Sequence, residues 1–203
     1  MHKKRSYCRK FNRGTFIFYI GSLTFLLAIF SSCETDYTPK PRGFFRIDFP
    51  PKSYRPYESN CPFRFEIPGY SSVEQDSFPG AQPCWLNIQF PSFRATLHLS
   101  YRRVEQNLRQ LTEDSRTLAM KHSAKAEEIS ENPFFTPRHI FGLRYDIMGN
   151  AASPVQFYLT DSTQNFLRGS LYFNVTPEAD SLAPVLSFIG KDINRFLQTF
   201  EWK

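Results

Sequence analysis

The first acidic residue of this chain is Glu34. Ahead of it stand Lys3, Lys4, Arg5, Arg9, Lys10 and Arg13, and then an apolar run from Thr15 to Phe30, interrupted by Gly21 and Ser22. A basic start followed by such a run is the layout of an export signal. As a helix the run would span about 24 Å at ~1.5 Å per residue, short of the ~30 Å of a bilayer core. The run therefore reads as a signal segment, and the folding problem belongs to the residues after it.

The sequence Phe30-Ser31-Ser32-Cys33 that ends the run resembles a bacterial lipobox. The two small serines let a peptidase reach the backbone, and the Cys33 thiol can accept diacylglycerol. Phe30 is less usual than leucine at its position. The alternatives are an uncleaved signal anchor and an ordinary signal followed by a chance cysteine. The lipobox reading makes residues 1–32 a lipoprotein signal peptide and fixes the chain to a membrane through lipid on Cys33, facing the periplasm. Residues 33–42 then form a tether. Its stretch ETDYTPKPR, with Pro39 and Pro41, disfavours helix and reaches about 28 Å at ~3.1 Å per residue. Residues 43–203 form the folded domain.

Processing changes what the charge means. The whole chain has 25 Lys and Arg against 19 Asp and Glu, for a formal net charge of +6 and a pI near 9.2. Without the six basic residues of the signal, basic and acidic side chains balance, so the pI gives no reason to expect nucleic acid as a partner. Cysteine use points to the same compartment. Cys8 leaves with the signal and Cys33 carries lipid, so Cys61 and Cys84 remain as an even pair, a candidate disulfide in an oxidising periplasm. The alternative is two unpaired buried thiols.

Past the tether, GFFRIDFP at Gly43–Pro50 alternates apolar and polar residues as a strand does, and CPFRFEIP repeats the pattern through Phe63, Phe65 and Ile67. Further strands are expected over Trp85–Phe90 and Arg94–Arg103, with a Gly-, Ser- and Pro-rich loop between residues 68 and 84. The period then changes: in EQNLRQLTEDSRTLAMKHSAKAEEI, Leu108, Leu111, Leu118, Ala119 and His122 share a helical face, and Pro133 and Pro137 close the region. Strands resume over His139–Ile147, Val155–Thr160 and Phe166–Val175, the last two forming a hairpin across TDSTQN. At the C-terminus Leu182, Val185, Leu186, Ile189, Ile193, Phe196, Leu197 and Phe200 follow the helical period. Asp180 or Ser181 could cap that helix, and Pro184 is tolerable in its first turn. The expected fold is a single α+β domain: a mainly antiparallel sheet packed by a mid-chain helix and a C-terminal helix, similar in architecture to PsbP/Mog1-like proteins.

No spacing for a catalytic, cofactor or metal site is present, and the chain is expected not to be an enzyme. His98, His122 and His139 are isolated in sequence. His98 alternates against the Leu97/Leu99 face and would line the other side of a sheet. An unrecognised enzyme would need His98 to converge with Asp161 or Ser153. Phe44, Phe45, Trp85 and Tyr101 could stack on sugars, and Arg102, Arg103 and Arg109 could meet an anion or a protein. Together with His98 they make a periplasmic glycan- or peptidoglycan-binding module the alternative reading. Asp161-Ser162-Thr163 resembles a bacterial O-glycosylation sequon, which makes Ser162 a candidate site.

Longer strings are more specific: PKPRGFFRIDFP, NCPFRFEIP, PCWLNIQFP, LHLSY, EDSRTLAMKH, GNAASPVQFYLTDS, FLRGSLYFN and the terminal FEWK. In this order they resemble the gliding motility-associated lipoprotein GldD family of Bacteroidetes, over nearly all of the chain after Cys33. Phe44 stands where the family pattern favours Tyr. The resemblance implies a cell-envelope lipoprotein needed for gliding and for the type IX secretion system, acting with other gliding proteins such as the membrane protein GldE. It implies the lipid-bearing role for Cys33 and no active-site residues.

Overall fold

The computed structural model describes residues 46–203. The signal, Cys33, the tether and the first three residues of the expected strand at Gly43–Pro50 lie outside the described residues.

The C-terminal helix α2 (Ala179–Thr199) organises the domain. Its apolar stripe of Val185, Ile189, Ile193, Phe196 and Leu197 is buried, as the 3.6-residue period predicts. Pro184 sits early in the helix, where a missing N–H costs little. The helix starts at Ala179 and has no side-chain cap, so neither Asp180 nor Ser181 caps it; Asp180 instead sits in the first turn, where its charge suits the helix dipole. Against this stripe lies a small antiparallel sheet, β1 (Tyr54–Tyr57), β2 (Phe63–Pro68) and β10 (Glu201–Trp202), with β2 in the middle. Phe63, Phe65 and Ile67 turn inward from β2. Phe65 meets Phe196 at 4.7 Å between ring centroids, and Phe63 meets Phe200 at 5.6 Å.

The second sheet is antiparallel throughout, in the order β3 (Ser72–Gln75), β4 (Leu86–Phe90), β5 (Ala95–Arg103), β9 (Asn165–Phe173), β8 (Val155–Thr160), β7 (Ile140–Gly149) and β6 (Ala126–Thr136). One face is apolar. Leu97, Leu99 and Leu171 line it, and Phe157 reaches across to Phe196 of α2 at 5.7 Å. Gly169 lies opposite Phe157, whose ring fills the space a side chain would take: a Cβ built there would come within 2.2 Å of it. The other face carries α1 (Leu108–Met120), whose Ala119 packs with Tyr145, Ile147 and Ala151 in a second, smaller core. The architecture is thus α+β with two helices and antiparallel sheets.

Several expectations are corrected. Arg46–Pro50 is not a strand; Phe49 stacks on Phe188 at 4.4 Å and lies 5.8 Å from Phe93. The mid-chain helix ends at Met120, and residues that looked like its continuation form β6. This edge strand stays largely in solvent, so no apolar alternation betrays it, and an edge tolerates Pro133 because the missing N–H can face water. Three short strands, β1, β3 and β10, also escaped the sequence pattern, β3 from within the 68–84 loop.

Two constraints fasten the small sheet to its surroundings. Cys61, just before β2, is joined by a disulfide to Cys84, just before β4, with their Cα atoms 5.6 Å apart. On the opposite side, Asp192 of α2, 2 % exposed, accepts hydrogen bonds from Lys52 Nζ at 2.6 Å, from Tyr54 OH at 2.9 Å and from Tyr70 OH. The Lys52 ammonium also donates to the Phe188 carbonyl at 3.0 Å and lies 3.3 Å from the centre of the Phe188 ring.

Replacing Asp192 by Ala would leave Lys52 and two tyrosine hydroxyls partly buried without their acceptor. It is expected to cost about 3–5 kcal/mol, read as a fall in denaturant midpoint at unchanged slope. Reducing the Cys61–Cys84 bond should cost about 3 kcal/mol for a loop of this length, measured the same way with and without reductant.

Candidate functional site

The period of two that puts Leu97 and Leu99 in the core sends His98, Ser100 and Arg102 to the opposite face. Across the ladder Ser170, Arg168 and Phe166 of β9 join them in register. Helix α1 covers part of this face and leaves a cavity of about 450 Å³ between itself, β5, β9 and Trp85. Phe166, Leu111 and Ser115 form its buried side, while Arg102, Gln110 and Asp114 stand at its exposed rim.

Trp85 is held by its indole N–H, which donates to the Tyr101 carbonyl at 3.0 Å, and Arg102 lies over its ring at 5.6 Å. Arg168 is partly buried. It donates to Gln156 Oε1 at 2.5 Å and to Ser170 Oγ at 3.5 Å. Burial pushes the guanidinium below its ordinary pKa, with Tyr172 and Tyr145 opposing that shift. At the rim, Asp114 Oδ1 accepts from Gln110 at 2.7 Å.

The residues singled out from the sequence disperse. His98 Nδ1 lies 2.7 Å from Asn87 Oδ1, and its ring meets Tyr172 edge-on at 5.7 Å. His122 approaches the same tyrosine at 6.3 Å, whereas His139 sits in the β6–β7 turn with φ 56°. Asp161 is taken up by its own turn, where its carboxylate accepts from the backbone N–H groups of Thr163, Gln164 and Asn165. Burial alone would raise its pKa, but those bonds hold it below the usual value. Ser153 is fully buried and its Oγ has no partner among the described residues. His98 sits five positions along β5 from Arg103, which pairs with the Asp161 turn at Asn165, so about 17 Å of strand at ~3.4 Å per residue separates them. Tyr101 turns to the core side and donates to Asn165 Oδ1 at 2.8 Å. Of the three arginines only Arg102 reaches the cavity; Arg103 and Arg109 are exposed away from it. Ser162 is exposed in the β8–β9 turn, with φ 66°. Phe44 and Phe45 lie outside the described residues. Among the described residues no group of three or more His, Cys, Asp or Glu side chains could hold a metal ion.

Arg168 and Ser100 were missed as site residues. The alternation that exposed His98 extends to both, but a lone Arg in FLRGSLYF gives no sign of Arg102, its diagonal neighbour on the next strand. A second concavity, of about 290 Å³, lies between the β6–β7 hairpin and α2, lined by Phe134, Arg144 and Asn194 among others. Beside it Phe135 and Phe141 are exposed with their rings 5.0 Å apart.

Burial, with Arg168 adding to it, lowers the pKa of both His98 and His122 below 6.5; Asp76 opposes this at His98. The folded protein therefore keeps these imidazoles neutral at pH values where the unfolded chain takes up protons. Their contribution to stability is complete above about pH 6.5 and is lost as pH falls below it. Thermal unfolding between about pH 7.5 and about pH 5.5 should show this loss, and a His98→Gln protein should show a shallower one.

Among curated proteins none matches the chain. Among solved structures, it is similar to the solution structure of the PsbP protein CyanoP of the cyanobacterium Synechocystis, at 10% identity, over 76% of this chain and 95% of that one, with a TM-score of 0.48. The sequence profile of the gliding motility lipoprotein GldD matches residues 34–202, which is every residue after Cys33 except the last. With a match of that extent, the chain belongs to the GldD family of gliding motility lipoproteins.

Proposed function

We propose that this protein is a lipid-anchored component of the envelope machinery for gliding and type IX secretion, and that it works by contact with partner proteins and not by catalysis. The observation that carries this reading is where the family match begins. It starts at Glu34, one residue after the cysteine at which a lipobox peptidase would leave the new N-terminus. Lipid on Cys33 then holds the protein at a membrane with the domain in the periplasm, and the polar stretch Glu34–Arg42 sets the domain off the surface.

The fold supports a part that bears load at its N-terminal end. Phe49, Lys52 and Tyr54, close to the start of the described residues, are fastened to α2 through Phe188 and Asp192. A pull on the tether would be resisted by Ile47 against the core, the stacked ring of Phe49 and the Lys52–Asp192 ion pair. The non-catalytic reading draws support from His98 and Asp161, each committed to separate local hydrogen bonds. Among the described residues no helix is long and apolar enough to cross a membrane. The membrane protein GldE is the partner the family resemblance implies.

Cells carrying Cys33→Ala in place of the wild-type protein are expected to release it from the membrane fraction and to lose both colony spreading and export of type IX cargo. Normal spreading and secretion by such cells would overturn the anchored role. Crosslinking of the wild-type protein in intact cells is expected to capture GldE.

A further inference from the structure

The cavity under α1 holds a cation that the described residues do not neutralise. Arg168 bonds only the neutral groups of Gln156 and Ser170, and the ionisable groups around it are Tyr145, Tyr172, His98 and His122, not carboxylates. Removing a guanidinium from water costs free energy that folded proteins usually recover with an acidic partner. Here no carboxylate pairs with Arg168 among the described residues. A second cation stands close by. Arg102 pairs with Phe166 and Ser100 with Arg168, so the two arginines are diagonal neighbours on one face, with backbone positions about 7–8 Å apart. Asp114 is the one carboxylate among the lining residues, and it already accepts from Gln110. The lining thus carries one net positive charge. Trp85, Leu111, Leu118 and Phe166 supply apolar surface around it.

We propose that this cavity binds a small molecule, or the end of a longer chain, through a single carboxylate held between Arg168 and Arg102, with its carbon skeleton against Trp85 and Phe166. A guanidinium fork matches the two oxygens of a carboxylate. One net charge suits a monoanion better than a phosphate, which carries nearly two at neutral pH. The volume, about 450 Å³, is that of a small-molecule site. In the cell envelope such carboxylates occur on sugar acids and at peptide C-termini, and the cavity chemistry serves both. The site goes beyond the role proposed above and does not rest on it.

The test is calorimetric titration of the full-length lipidated protein in detergent with two probes, N-acetylmuramic acid and acetyl-alanyl-alanine, each at up to millimolar concentration. The methyl ester of each probe and inorganic phosphate serve as controls. Binding of at least one acid, with its ester silent, is the expected result, and the acid that binds identifies the source as sugar or peptide. Arg168→Gln should weaken that binding by roughly ten- to a hundred-fold. Arg102→Gln, at an exposed position that leaves the core untouched, should weaken it several-fold with unchanged thermal stability. Silence from both acids, equal binding of acid and ester, tighter binding of phosphate, or binding that survives Arg102→Gln undiminished would each overturn the proposal. Because the readout is binding by purified protein, its failure leaves the motility role standing, and a motile Cys33→Ala strain would leave the cavity reading standing.

Discussion

One buried carboxylate holds the domain's parts in register. Asp192 sits on the inner side of the C-terminal helix, and its three donors come from separate places: Lys52 from the incoming segment, Tyr54 from β1 and Tyr70 from the turn after β2. A charge this deep is tolerable only when its oxygens are fully used. Burial lowers the pKa of Lys52 even with Asp192 beside it, while the same burial and the carboxylate bond push Tyr54 up to about 12 and Tyr70 further. The tyrosines therefore remain neutral donors. The small sheet cannot slide along the helix without breaking several charge-assisted bonds at once.

That clamp, with the disulfide across the sheet gap, frees the large sheet to divide its labour. One face closes the aromatic core around Phe196, with Gly169 yielding its side-chain space to Phe157. The other face mixes polar side chains with the smaller core around Ala119, Tyr145 and Ile147. Helix α1 is shorter than the apolar pattern promised and buries Leu111, Ser115 and Ala119, and a cavity lined by Arg102 and Arg168 survives beside it. A site can be placed there at low cost because the main core lies elsewhere.

Legibility followed burial. The central strands and the C-terminal helix were readable because both put one face in a dry core, and a dry core imposes a period on the sequence. The edge strand β6 and the short β1 and β3 imposed none. Each is half in solvent, and hydrogen bonding to a neighbour holds it in place without an apolar stripe. The segment around Phe49 failed in the opposite sense. It alternates like a strand, yet its aromatic ring found a better partner in Phe188 than its backbone found in a ladder. Of the candidate site, the face occupied by His98 and Arg102 was legible from alternation alone. The role of Arg168 was not, because it depends on which strand lies next to which.

The sequence by itself determined the family, the α+β class and the sides of the central strands, since composition, period and long strings are local properties of the chain. The tertiary structure decided which charges meet. Asp192 lies some 140 residues beyond Lys52, and Arg168 some 66 beyond Arg102, yet one pair is bonded and the other shares a cavity. Electrostatic partners are chosen by distance in space, and that distance is set only when helix and sheets have packed.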